Sequence, residues 1–177
     1  MKEKIVNEIQ NLFHNADFGH VLLNYVDTDI WFKKISSHLN GPYLIENLTD
    51  FNYSRCFTTF LFREFESEIK LWTDDFKEYV KQRSYVEGLA IYISVIAPYS
   101  SIIPFRYEYI NGEIKMKELG NSSNKTLVSA KQEILKLLNR EGIQILDKEI
   151  LEIKIPNISL ELYEDEDEVS IFNCLFE

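Results

Sequence analysis

The sequence predicts an α+β fold: a mostly antiparallel β-sheet with about four helices packed mainly on one face, in a single globular domain over residues 1–177. Three observations predict it. Residues 89–97 form a continuous apolar run, Leu-Ala-Ile-Tyr-Ile-Ser-Val-Ile-Ala, too short and too β-branched for a helix and suited to a strand buried on both faces. Asn111-Gly112 separates two alternating runs, 105–110 and 113–117, the strongest short-range hairpin signal because both central residues must take positive φ. Helical periodicity recurs elsewhere in no strict strand-helix-strand order, which favours α+β over a parallel α/β sheet.

In chain order, Ile5, Ile9, Leu12 and Phe13 make the stripe of an amphipathic first helix over residues 2–15. A second helix starts from an Asp27 or Thr28 cap, carries Ile30, Trp31, Ile35 and Leu39, and stops at Gly41-Pro42. Residues 43–54 read as connection. Residues 56–62 alternate as a strand with apolar side chains on both faces, and residues 67–72 are its expected partner. Thr73 then caps a short helix with Asp74 and Asp75 in its first turn and Lys81 and Arg83 in its last.

Pro98 ends the central run, and a loop leads into the hairpin. A two-residue loop pairs Ile110 with Glu113, which sets Tyr109 opposite Ile114, Tyr107 opposite Met116 and Glu108 opposite Lys115. After the 120–124 loop, Leu127, Ala130, Ile134, Leu137 and Leu138 define the best helix in the chain, ended by Gly142. Residues 151–155 and 158–162 alternate with a parity break at Pro156-Asn157, so two strands or one bulged strand are expected there. Residues 169–176, apolar on both sides, are read as an internal strand.

Composition narrows the function classes. The 45% hydrophobic and 27% charged residues are an ordinary globular balance. Cys56 and Cys174 lie in apolar runs without a CxxC partner and read as buried thiols in a reducing compartment. No secretory h-region and no run of 18 apolar residues is visible, so a cytoplasmic chain without a membrane association is expected. The net charge is −10, and residues 161–177 hold seven acids and no Lys or Arg, against 22 acids and 19 bases in residues 1–160. A phosphate-binding footprint is lacking, so nucleic acid is not an expected partner, whereas a basic protein surface is.

Catalytic signatures are missing. His14, His20 and His38 have no spacing that would bring two imidazoles to one face, and six glycines leave little material for a phosphate-cradling loop. Asp27 with Asp29, and Asp74 with Asp75, fall where helix N-termini favour negative charge. No catalytic, cofactor-binding or metal-ligating residue is expected, and no cofactor.

The unusual polar feature is Glu164-Asp165-Glu166-Asp167-Glu168, read as an exposed hairpin loop. Such a run protects an edge or gives on-rate and orientation toward a basic partner, with Tyr163, and Trp72 if exposed, as aromatic anchors. In general profile, a small, acidic, aromatic-rich chain of this kind resembles the bacterial immunity proteins that occlude a toxin, and the first expectation is therefore a non-enzymatic protein-binding module. Two others stand beside it: a small-molecule binder or enzyme with a pocket between sheet and helices, drawing on His20, Asp27, Tyr99 or the loop after Pro98, and a subunit that self-associates into a homo-oligomer through its sheet.

Overall fold

A computed structural model describes residues 2–16, 27–65, 69–160 and 169–177. The fold is α+β. Its elements are α1 (Lys2–Asn15), α2 (Ile30–His38), β1 (Tyr43–Asn47), β2 (Cys56–Arg63), α3 (Asp74–Arg83), β3 (Tyr85–Ser94), β4 (Tyr99–Ile110), β5 (Glu113–Glu118), α4 (Lys125–Arg140), β6 (Gln144–Ile145), α5 (Lys148–Leu151) and α6 (Ile171–Phe176). Strands β1 to β5 lie side by side in chain order, every neighbouring pair antiparallel, and the two-residue β6 pairs parallel with the start of β4.

The apolar run predicted as the centre is the centre. β3 lies between β2 and β4, with Leu89, Ile91 and Ile93 on one face and Ala90 on the other, all buried. Ser94 stops it: its hydroxyl accepts from the backbone of Ile96 at 3.2 Å and bends the buried residues 95–97 away from the ladder. The hairpin register matches the prediction pair for pair, Ile110 with Glu113, Tyr109 with Ile114, Glu108 with Lys115 and Tyr107 with Met116. Asn111 and Gly112 take φ of 52° and 91°, the mirror-image turn that follows the sheet's twist.

Helices cover both faces of the sheet. On one, Trp31, Ile35 and Leu39 at α2 and Leu127, Ala130, Ile134, Leu137 and Leu138 of α4 pack against Phe57, Leu61, Leu89, Ile91 and Ile102. On the other, Phe76 and Val80 of α3 meet Phe60, Phe62, Ala90, Phe105 and Tyr107, while α1, α5 and α6 close the far end over Cys56 and Tyr99. Packing on a single face therefore describes α2 and α4, and the two-sided burial expected of β2 and β3 is what requires the rest. Caps match the sequence at α3, where Thr73 Oγ accepts from Phe76 N at 3.3 Å, and α4 adds Asn124, which accepts from Thr126 and Leu127. At α2 the cap position is Asp29, while Asp27 two residues earlier accepts from the Asp29 backbone.

Five segments differ from the sequence reading. Residues 43–47, expected as connection, form the edge strand β1, half-buried throughout and so without a visible alternation. The proposed 67–72 partner strand lies partly outside the described residues; Leu71 and Trp72 form a turn, and β2 pairs with β1 and β3 instead. The loop after Pro98 is the start of β4, because Ser100 and Ser101 are buried opposite Ile93 and Tyr92 and read as polar loop only when taken alone. Residues 151–160 hold the end of α5, a single bridge from Lys154 to Ser170, and irregular chain. Residues 171–176 are a helix, started by a capping box in which Ser170 accepts from Asn173 N and Asn173 reaches back to the Ser170 backbone. A short apolar run buried on all sides satisfies helix and strand equally, and the Ser-x-x-Asn spacing was the available discriminator.

Candidate functional site

The expected partner-binding residues Tyr163, Glu164, Asp165, Glu166, Asp167 and Glu168 lie outside the described residues, as does His20. The nearest described residues on either side are Leu160, buried in irregular chain, and Val169, which accepts from Ile155 N at 2.8 Å before leading into α6. The other candidates do not converge. Asp27 is paired with Lys33 at 3.4 Å, and the hydrogen bond from the Asp29 backbone leads the causes that hold its carboxyl below the usual range. Tyr99 is buried and donates to Glu8 at 2.7 Å. His38 sits 3.1 Å from the Glu133 carbonyl, and His14 is exposed on α1. Among the described residues no group of three or more His, Cys, Asp or Glu side chains is placed to hold a metal.

What the structure does assemble is an aromatic platform at the start of α3. The chain enters α3 through a turn in which Leu71 is buried and Trp72 takes φ of 66°. That left-handed conformation lets Leu71 point into the core while Thr73 caps the helix, and it swings the indole outward. Trp72 is 60% exposed. Its ring stands edge-on to buried Tyr107 at 5.5 Å and to Phe76 at 6.4 Å, which in turn pack with Phe62, Phe65 and Phe105. Burial pushes the Tyr107 phenol above its ordinary range, so the ring under Trp72 stays neutral, and its packing against Phe62, Phe76 and Phe105 holds it in place. Asp74 and Asp75 are exposed beside Trp72, and Met116, 43% exposed, lies across the ladder from Tyr107. An exposed indole followed two and three residues on by exposed carboxylates suits a partner surface carrying guanidinium or ammonium groups, which gain cation–π contacts and charge-assisted hydrogen bonds.

A second feature is a cleft of about 680 Å³ at a gap in the sheet. Pro104 produces the gap: its carbonyl accepts from Leu119 N at 2.8 Å, but it has no N–H to return, and the β4–β5 ladder stops there. β6 pairs only with Tyr99 and Ser100, so the β4 backbone between is uncovered along that side. Lys131 of α4 reaches this cleft half-buried, its ammonium pKa lowered by burial, and it makes no ion pair among the described residues. Lys148 on the opposite wall is held by Glu118 at 3.2 Å and Glu152 at 3.7 Å. Of the pocket residues offered by the sequence, the stretch after Pro98 does line this cleft, through residues 101–104, but as strand and not as loop, and the sequence does not single out Pro104, Lys131 or Lys148.

No family model matches the chain, and neither the curated proteins nor the solved structures contain a significant match. Among the described residues, no helix is long and apolar enough to cross a membrane.

Proposed function

We propose that the chain is a non-enzymatic protein-binding module that docks on a basic partner protein, in the manner of an immunity-type inhibitor occluding a cationic surface. The observation that carries this reading is Trp72. A large residue in the left-handed region costs on the order of 1–2 kcal/mol, and a side chain left 60% exposed returns little of that to the fold. Strain kept on an exposed aromatic is expected where the side chain works outside the fold. The ring rests on a rigid platform, so little side-chain freedom is lost on docking, which is the property of a hot-spot anchor. The adjacent Asp74 and Asp75 and the acidic run 164–168 supply charge of the sign that steers a basic protein.

The test is capture of a partner from a lysate by the tagged chain, in parallel with Trp72→Gly and with a variant carrying Gln or Asn at 164–168. A stoichiometric basic protein, released by salt, lost with Trp72→Gly and slowed in association by the neutralised run, is the expected result. Capture that is indifferent to both variants sinks the reading.

The cleft supports a second reading, a small-molecule binder, on one observation: the half-buried Lys131 ammonium, without an ion pair among the described residues, beside uncovered backbone. An anionic ligand bound there would raise the melting temperature, and Lys131→Met would remove the rise.

A further inference from the structure

We propose that two copies of this chain join through the outer edge of β5 into one continuous antiparallel sheet across a two-fold axis. This goes beyond the docking reading, because it uses the backbone edge of β5 and not the Trp72 face.

β5 ends the sheet, with no strand on its outer side among the described residues. Its hydrogen-bonding parity is set by the hairpin. The two-residue turn makes Ile110 and Glu113 a bonded pair, and Leu119 N donating to Pro104 O lies on the same alternation. Glu113, Lys115 and Lys117 therefore bond inward to β4, and Ile114, Met116 and Glu118 present their N–H and C=O groups outward.

An added strand must match outward residues with outward residues, which removes every second register. Of those left, one uses the whole regular strand. Ile114 faces Met116 of the second copy, Met116 faces its Ile114, and Lys115 sits on the axis. Four backbone hydrogen bonds form. On the α3 face, Ile114 and the 43% exposed Met116 cover one another, next to the Trp72 platform. On the other face, Glu113 meets Lys117 twice, and the two axial Lys115 side chains face one another, a single like-charge pair offset by the Glu108 that lies directly across from each in its own β4. A shift of one bonded pair in one direction sets Lys115 against Lys117 twice. A shift in the other direction brings Asn111 and Gly112, with their positive φ, into the ladder. The edge is thus self-complementary in hydrogen bonds and apolar cover, with two attractive charge pairs against one axial like-charge pair, in a single register, and a second copy is the occupant that fits it.

Sedimentation from micromolar to millimolar concentration tests this, with charge exchange and site-specific cross-linking. The wild type is expected to form a dimer in this range. Lys117→Glu weakens it about tenfold by turning two attractive cross-strand pairs repulsive. Inside its own sheet, Lys117→Glu faces Arg106 and improves the pairing, so its effect is not loss of fold. Combining it with Glu113→Lys returns the dimer to near wild-type strength. Lys115→Cys is expected to cross-link readily, since non-bonded antiparallel partners stand about 4.5 Å apart at Cα, within disulfide range. Lys117→Cys should not, because its two copies are four residues apart along the ladder. A chain monomeric throughout, a Lys117→Glu variant that dimerises like the wild type, or equal cross-linking at 115 and 117 overturns the proposal. The first outcome would mean that the charged edge serves only to keep β5 solitary.

Discussion

Glu87 of β3 lies directly across the ladder from Arg106 of β4, yet its carboxylate turns away to Ser122, Ser123 and Asn124. Arg106 pairs instead with Glu108 on its own strand and lies over the Tyr85 ring. The consequence is positional. Glu87 accepts from two hydroxyls at 2.6 and 2.8 Å and from the Asn124 backbone at 3.2 Å, and Asn124 is the cap that starts α4. A carboxylate in the central strand therefore fixes where the longest helix begins.

Glu87→Ala is expected to lower stability by about 1–3 kcal/mol at neutral pH, since it leaves the loop donors without their charged acceptor. Burial raises the Glu87 pKa, but the hydrogen bonds from Ser122, Ser123 and Asn124 prevail and the net shift is downward from 4.5. The stabilisation is then fully present above about pH 4.5 and is lost as pH falls through the lower folded value. Denaturant melts of wild type and variant between pH 7 and pH 3 should converge at the acid end. A constant difference would mean that packing, not the carboxylate charge, is what the substitution removes.

Two glycines should respond to alanine for different reasons. A Cβ at Gly88 would stand 2.7 Å from Phe105 Cζ and 2.8 Å from Phe62 Cε1, inside the buried aromatic layer, so Gly88→Ala is expected to cost about 1–3 kcal/mol by overpacking. Gly112 has open space around it and φ of 91°, so Gly112→Ala should cost roughly 1 kcal/mol through backbone strain alone. The distinction is measurable: near-ultraviolet circular dichroism should change for Gly88→Ala, which displaces Phe62 and Phe105, and not for Gly112→Ala.

Both thiols are fully buried and free. Burial pushes the Cys174 pKa up to about 12 and raises that of Cys56, whose sulfur lies 3.2 Å from the Phe176 carbonyl. A thiol-specific reagent at pH 8 should label neither in the native protein and both in denaturant. Because the raised folded values favour the neutral thiols, their contribution to stability is present below about pH 9 and declines as pH rises past it. Tyr92, pushed up to about 12 chiefly by burial, adds to the decline above its ordinary value of 10. Stability should thus fall on the alkaline side before lysines titrate.

Trp72→Gly separates function from fold. Glycine relieves the left-handed strain, while two edge-on ring contacts worth about 1 kcal/mol are lost. The melting temperature is expected to stay close to wild type or rise, with partner capture abolished. A large drop in melting temperature would show that the indole serves the fold.

What the sequence determined by itself was everything local enough for one period or one turn to dictate. The β-branched run at residues 89–94, the Asn111-Gly112 register, the Thr73 cap and the five core positions of α4 follow from side-chain chemistry within a few residues, and they hold in the structure. Tertiary structure decided the rest. Ser100 and Ser101 belong to a strand because β3 supplies the ladder that buries them, and residues 171–176 are helical because neighbours enclose that run on every side, leaving the Ser170–Asn173 cap to choose. The Trp72 platform joins a turn, a helix and two strands far apart in sequence, and the cleft depends on a missing Pro104 N–H that matters only once β4 has partners on that side. Periodicity records which side chains are buried. It does not record what buries them, and a surface that binds is defined by what the fold leaves uncovered.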